Sequence, residues 1–512
     1  MDGRPTVPCS TEAYGSPSVN PSQQIRKGLG NRITSGLLWS VLSIAVGKGA
    51  SLIAQIILGW LLSKEDFALY AIAISWSTIV MALRNGGTQR LLIQKGAQYS
   101  DLAVMYLKFA LLFNLGGFAI LTMAAPILSG LYDSHALRMM LWVLGLSLPL
   151  STAAMIFQAK LSADLEFAKV SRLIILSSLA RHTSMVLFAW LGLGPLSFVL
   201  PLCVVALVET ALGWHWAKRW PPSRSLTWPA IGGILRDSRW VMLSALASSL
   251  TINGDYIAIS LIESKELLGV YFFGYQLSLA LVALVTSSLD TVMMPAFSSL
   301  GHELPRQTEL FLRGTRLLAV GATFACFGLA IVAPVAVHGL WAGKWDEAIP
   351  VVQILSLTMP VRLMIPLCRA MLEARGDWKL VSLLSICDGV GIMVAGAVGA
   401  WTGGLIAITV VVSGYNLFAA ALYCAVATRM LLTPLTTLFA PIFSTLCAGL
   451  LAAAIGFAIA TSAELSPVGV SRVLIGLPVF VAIYFCLIRV LMGNVATEFR
   501  MLVLRATTVR PT

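Results

Sequence analysis

Apolar runs long enough to cross a lipid bilayer recur along this chain from Ile33 to Met492. A helical crossing needs about 20 such residues, and lipid offers the backbone no hydrogen-bond partners, so a spanning segment is a helix or part of a closed barrel. A barrel would show short alternating segments. The runs are long and continuous here, and only 11% of the residues are charged. The sequence therefore predicts an all-α, polytopic membrane protein.

Basic residues test the number of spans, which we place at about fourteen. With a cytoplasmic N-terminus, most of the 35 Lys and Arg residues fall in the two tails and the even-numbered connections. The odd-numbered connections hold only Lys64, Arg138, Lys265, Lys344 and Arg472. This alternation follows the positive-inside rule and predicts that both termini are cytoplasmic. It also accounts for the net charge of +12 without a nucleic-acid partner.

An internal repeat relates the first span to the seventh at a constant offset of 201 residues. The matching residues form two clusters: Trp39, Leu42 and Ser43 with Trp240, Leu243 and Ser244, then Ser63, Lys64, Glu65 and Tyr70 with Ser264, Lys265, Glu266 and Tyr271. Parallel repeats are typical of transporters whose binding site lies between two lobes. Coincidence within a biased composition is the alternative. The repeat predicts two pseudo-symmetric six-helix lobes followed by two C-terminal helices.

This organisation divides the chain into six parts. They are a disordered cytoplasmic tail (1–33), an N-lobe (34–215), a cytoplasmic linker (216–238), a C-lobe (239–427), a final helix pair (435–492) and a cytoplasmic tail (493–512).

Cations within the spans are candidates for substrate binding. A charge in mid-bilayer costs several kcal/mol unless it faces a cavity or a partner. Lys48 lies between two glycines in span 1, Arg181 lies near the middle of span 5, and Arg362 lies between two prolines in span 10. Together they would suit a pyrophosphate or acidic sugars, and buried ion pairs are the alternative. Arg84, after span 2, could meet a phosphate headgroup or serve only as a positive-inside residue.

Acidic residues within the spans are candidates for ion coupling. Asp255 and Asn253 in span 7 and Asp388 in span 11 would suit Na⁺ as a group, and one buried carboxylate would suit a proton. A salt bridge to Arg362 is the alternative. The eight cysteines form no CxxC pair and the five histidines are scattered singly, so we expect no metal, no catalytic residues and no cofactor beyond a coupling ion.

Several of these positions also carry a resemblance to a known family. The chain looks like the polysaccharide transporter branch of the MOP exporter superfamily, the Wzx-type oligosaccharide flippases. The matching features are Gly36, Trp39, Gly47, Leu61, Leu62, Asp66, Phe67 and Tyr70, then Arg84–Gly87, Gln158–Phe167, Asn253, Asp255, Gly269, Tyr271 and Gly343–Ala348. Ala68 departs from the pattern, because the family usually has glycine there.

The resemblance implies a V-shaped transporter in the bacterial inner membrane that opens alternately to its two sides. Its substrate would be an undecaprenyl-pyrophosphate-linked oligosaccharide, flipped to the outer leaflet for O-antigen, capsule or exopolysaccharide, with Na⁺ or H⁺ coupling. Membrane lipids and polysaccharide polymerase machinery would be its partners. Two alternatives stay open: a MATE-like drug or cation antiporter, and a membrane polysaccharide polymerase.

Overall fold

The computed structural model describes residues 42–82, 99–164, 166–217, 228–300, 303–462 and 473–491. All regular secondary structure in these residues is helical. Twelve of the described helices are long and apolar enough to cross a membrane. The prediction of an all-α, polytopic membrane protein is confirmed.

The first half of the chain contributes six helices, and a short 3₁₀ helix, Gly194–Phe198, precedes the last of them. The helices are α1 (Leu42–Leu61), α2 (Lys64–Ala82), α3 (Tyr99–Leu131), α4 (His135–Ala163), α5 (Phe167–Trp190) and α6 (Leu200–Ala217).

The second half begins with α7 at Trp228, within the predicted linker 216–238, so α7 is longer than the sequence suggested. Its helices are α7 (Trp228–Ile262), α8 (Lys265–Ser299), α9 (Leu304–Trp341), α10 (Ile349–Arg362), α11 (Met364–Ala374), α12 (Trp378–Thr402), α13 (Leu405–Met430), α14 (Leu435–Ser462) and α15 (Gly476–Leu491). The predicted tails, 1–33 and 493–512, lie outside the described residues.

Helices α10 and α11 form one interrupted crossing. The break falls at Leu363, between Pro360 and Pro366, the two prolines that flank Arg362 in the sequence. Pro366 has no N–H group, and its ring would clash with the carbonyl four residues earlier, that of Arg362. The helix therefore breaks beside a charged side chain. With α10 and α11 counted as one crossing, the described part of the chain contains fourteen helical rods.

Helices α7 and α12 pack closely through small residues. A Cβ atom on Gly389 would lie 2.9 Å from the Ala247 carbonyl oxygen, and one on Gly396 would lie 2.9 Å from the Cα of Asp255. Small residues at such a crossing let two backbones approach within a membrane. The approach brings the backbone of α12 against the part of α7 that carries Asp255.

The two halves of the chain meet where α2 packs against α7 and α8. We call the end of the bundle that carries the α1–α2 and α7–α8 connections the hairpin end. Helices α14 and α15 pack on α9. The predicted lobe boundary stays a prediction, since residues 218–227 lie outside the described ranges.

Candidate substrate chamber and buried charge cluster

A polar chamber of about 470 Å³ lies between the two halves of the chain. Helices α1, α2, α5 and α8 all contribute to its lining. Lys48 and Arg181, two of the predicted substrate-binding residues, both line it, together with Gln55, His182 and Gln276. The structure thus places two of the membrane-embedded cations on one cavity.

The chamber is positively charged. Its lining includes the cations of Lys48 and Arg181, and none of the described residues that line it is Asp or Glu. An anionic group would therefore be attracted here, and a cationic drug would meet repulsion. An arginine side chain can grip a phosphate through paired donors, which a lysine cannot do.

Two buried donors in the chamber have no hydrogen-bond partner among the described residues. Within the described residues, neither Arg181 Nε nor Gln55 Nε2 makes a hydrogen bond, although both atoms are buried. A buried donor left unpaired costs about 1–3 kcal/mol, and more when it is charged. These two donors would be satisfied by a ligand with acceptor oxygens.

Aromatic side chains close the chamber at the hairpin end. Phe67 of α2 makes edge contacts with Phe198, Phe273 and Trp345, at centroid distances of 5.1, 5.4 and 5.0 Å. Phe273 stacks on Trp345 at 3.9 Å. We call these residues, with Trp341, which contacts Phe273, the aromatic plug. Because the plug joins both halves, the hairpin end is closed in this conformation.

Polar contacts reinforce the closure. The indole N–H groups of Trp341 and Trp345 donate to the carbonyl oxygens of Ile56 and Gly59, each at 3.0 Å. The ammonium group of Lys344 donates to the carbonyl oxygens of Gly59, Trp60 and Leu62, at 3.0, 3.2 and 2.6 Å. The last turn of α1 therefore has its carbonyl groups satisfied by the other half of the chain.

A second cluster of charges lies around the α10–α11 break. Arg362 donates to the side-chain oxygen of Asn416 on α13. Its guanidinium also interacts electrostatically with Asp255, Asp388 and Tyr275. The cluster joins five rods of the second half, and Arg369, which pairs with Glu373 at 3.6 Å, also interacts with Asp388.

Tyrosine hydroxyls hold the two carboxylates of this cluster. Tyr271 donates to Asp255 Oδ2 at 3.0 Å, and Tyr415 donates to Asp388 Oδ1 at 3.3 Å. The other oxygen of Asp255, Oδ1, is buried and has no hydrogen-bond partner among the described residues. This oxygen could therefore accept a proton or bind a small cation.

The structure places Arg362 apart from the chamber, gives Asn253 a contact within its own helix, and does not describe Arg84. Arg362 is not among the residues that line the chamber with Lys48 and Arg181; it donates to Asn416 and interacts electrostatically with the two carboxylates of the second cluster. The side-chain nitrogen of Asn253 points at the Ser249 carbonyl of its own helix, at 3.5 Å. Arg84 lies outside the described residues.

Sequence reasoning missed the neutral members of both sites. Gln55 in the chamber, and Tyr271, Tyr275 and Asn416 in the charge cluster, carry no charge that would mark them within a span. Tyr271 did appear in the internal repeat, opposite Tyr70, which lines the chamber. The repeat and the family resemblance were the two signals that singled it out.

The fold resembles solved transporters of the MOP superfamily. The lipid II flippase MurJ, in its inward closed conformation, superposes with a TM-score of 0.69 at 10% identity, covering 90% of this chain and all of that one. An inward-facing multidrug resistance MATE transporter gives a TM-score of 0.57 at 13% identity, covering 76% of this chain and 94% of its own. The chain is thus a polytopic helical membrane protein with the transporter fold of that superfamily.

Residues 57–350 match the polysaccharide biosynthesis protein family, and the chain belongs to it. The succinoglycan biosynthesis transport protein ExoT of Rhizobium meliloti (strain 1021) is 26% identical over 330 residues, 64% of this chain and 66% of that protein. The lipopolysaccharide biosynthesis protein WzxC of Escherichia coli (strain K12) is 21% identical over 333 residues, 64% of this chain and 67% of that one. The teichuronic acid biosynthesis protein TuaB of Bacillus subtilis (strain 168) matches over 54% of its length. The chain thus spans about two thirds or less of the length of these relatives.

Proposed function

We propose that this protein is a flippase that moves an undecaprenyl-pyrophosphate-linked oligosaccharide from the cytoplasmic to the outer leaflet of the bacterial inner membrane. The sugar would enter a surface polysaccharide. In this assignment the protein performs no covalent chemistry, both termini are cytoplasmic, and the hairpin end faces outward. The conformation described here is then the one closed to the outside.

The observation that carries the proposal is the positively charged chamber with its two unpaired buried donors. A pyrophosphate offers oxygen acceptors to Arg181 Nε and Gln55 Nε2, and its charge complements Lys48 and Arg181. A cation antiporter would need carboxylates in that position, so the lining disfavours the drug-transport alternative. The transporter names of ExoT and MurJ support the same class of function.

The test is a set of Arg181 variants in cells that make the polysaccharide. Arg181→Ala removes the paired donors, which contribute about 1.5–3 kcal/mol, or roughly tenfold to a hundredfold in affinity. We expect surface polymer to fall and lipid-linked oligosaccharide to accumulate at unchanged protein level. Arg181→Lys should restore only part of the activity. Lys169→Ala is the matched control, because Lys169 pairs with Glu166 at 3.1 Å, away from the chamber. Full polymer in Arg181→Ala and in Lys48→Gln would refute the proposal.

The charge cluster at the α10–α11 break is the proposed coupling site. Arg369 also interacts with Asp388 and pairs with Glu373 at 3.6 Å, so three carboxylates face two guanidinium groups. The net negative charge is one that a single H⁺ or Na⁺ would neutralise. Asp255 and Asp388 lie on helices that pack together, α7 and α12, so loading the site would alter how these helices meet.

Proteoliposomes with imposed gradients test the coupling and identify the ion. We expect one of the two gradients, proton or sodium, to accelerate flipping by the unmodified protein. Asp388→Asn should abolish that acceleration while leaving a slow, gradient-independent rate. A variant that still responds fully to the gradient would remove Asp388 from the coupling site.

A further inference from the structure

An apolar groove of about 480 Å³ runs along the membrane-facing side of α1 and α5. Its lining follows one face of each helix, including Ile53 and Ile57 on α1 and Thr183, Leu187 and Trp190 on α5. Trp190 is 72% exposed and Ile53 is 62% exposed. The volume lies within the range of ordinary ligand sites, roughly 300–1,000 Å³.

The groove and the chamber are adjacent cavities along helices α1 and α5. Both are formed by α1 and α5, and both are lined by Ala54 and His182. A molecule with one polar and one apolar end could therefore occupy both spaces where they share Ala54 and His182.

From this continuity we infer that the α1–α5 groove binds the polyprenyl chain of the lipid whose phosphate head occupies the chamber. The inference rests on the proposed function and adds a second subsite to it. A headgroup inside the protein remains attached to a long apolar chain, which must stay out of the polar chamber. The groove is lined by α1 and α5, the two helices that carry Lys48 and Arg181.

His182 lies where the two subsites meet. Its Nδ1 atom lies 2.7 Å from the Ser178 carbonyl oxygen and so is already engaged on its own helix. The side chain lines the chamber and the groove at once. At this residue the phosphate head of the bound lipid would join the first isoprene units.

Photocrosslinking in nanodiscs tests the groove. A photoreactive benzophenone amino acid would replace Thr183, which is exposed and lines the groove. The same amino acid would replace Leu115, which is 47% exposed on α3, as the matched control. The probe is labelled undecaprenyl pyrophosphate without a sugar, in discs of phosphatidylethanolamine and phosphatidylglycerol. We expect several-fold stronger labelling at position 183 than at position 115, displaced by unlabelled undecaprenyl pyrophosphate and not by added phosphatidylglycerol.

Three results would overturn the inference. They are equal labelling at the two positions, no labelling at position 183, and equal displacement by phosphatidylglycerol, which would make the groove an ordinary lipid site. A flipping assay on the unmodified protein separates this inference from the proposed function. Flipping without labelling at position 183 leaves the function standing and removes the groove. Specific labelling without flipping keeps the groove as a polyprenyl site and refutes the function.

Discussion

Lys265 and Glu65 form an ion pair between the two halves of the chain, with 3.6 Å between the ammonium nitrogen and a carboxylate oxygen. The equivalent pair, Lys64 with Glu266, measures 3.5 Å. Lys64–Glu65 and Lys265–Glu266 are the two copies of Lys-Glu in the internal repeat. The lysine of each copy therefore pairs with the glutamate of the other copy. Separation of the halves at the hairpin end would break both pairs together.

The first prediction concerns this reciprocal pair. Lys265→Glu places two carboxylates against each other and should increase the population open at the hairpin end. The change should be at most about fivefold, because an exposed pair contributes roughly 0.2–1 kcal/mol. Spin labels at Leu61→Cys and Ile262→Cys, in a background without native cysteines, would report the distance between the halves. The swap Glu65→Lys with Lys265→Glu should restore the original distribution. Lys169→Glu, whose partner lies in the same half, should leave it unchanged.

A glycine at the same end gives the second prediction. A Cβ atom on Gly269 would overlap the carbonyl oxygen of Lys64, where the first turns of α8 and α2 touch. Gly269→Ala should disfavour the closed conformation by about 1–3 kcal/mol, the usual cost of overpacking. The same spin-label pair should then show a longer distance.

Gly321→Ala is the control for that substitution. Gly321 lies within α9, and nothing lies within 4 Å of the position its Cβ would take. Alanine there should leave the distance unchanged and raise helix stability by up to about 1 kcal/mol. An unchanged distance in Gly269→Ala would show that the α2–α8 contact does not hold the halves together.

The third prediction is that substitution of Gln55 lowers transport without lowering thermal stability. Gln55→Leu removes an unpaired buried donor, so the thermal midpoint in detergent should stay the same or rise, while flipping should fall. Gln353→Leu is the matched control, because Gln353 donates to the Ala330 carbonyl at 3.2 Å and its loss should lower the midpoint. A lower midpoint in Gln55→Leu would indicate that Gln55 serves the fold and not the ligand.

The fourth prediction concerns the buried charge cluster. Arg362→Met removes the cation that Asp255 and Asp388 share and should destabilise the protein by about 3–5 kcal/mol. Adding Asp255→Asn should recover part of that loss. A double-mutant cycle from thermal unfolding would give the coupling energy between the two residues. Additive effects would mean that Arg362 and Asp255 do not stabilise each other.

The helical architecture could be predicted from the sequence because lipid imposes it. Hydropathy identifies the apolar spans, and the two prolines that flank Arg362, Pro360 and Pro366, lie at the interrupted crossing. The offset of 201 residues likewise anticipated a relationship that the structure shows, the exchange of partners between Lys64–Glu65 and Lys265–Glu266. The cytoplasmic position of the termini and the six-part division of the chain stay predictions.

The site could be predicted only in part, because hydropathy does not say which way a helix face turns. Lys48 and Arg181 do face one chamber, as expected. Arg362 carries the same charge in a similar apolar context, yet it faces Asp255 and Asp388, and only tertiary packing decides between the two outcomes. Gln55 could not be distinguished from other neutral polar residues in the spans for the same reason.

The contacts of Lys344, Trp341 and Trp345 with the end of α1 make that helix sensitive to the arrangement of the halves. When the halves part, the carbonyl groups of Ile56, Gly59 and their neighbours lose every donor that the second half supplies. The terminal turn must then fray or recruit water, and the same helix carries Lys48 toward its other end. Fraying would thus transmit the movement along a single helix, from the plug to Lys48 in the chamber.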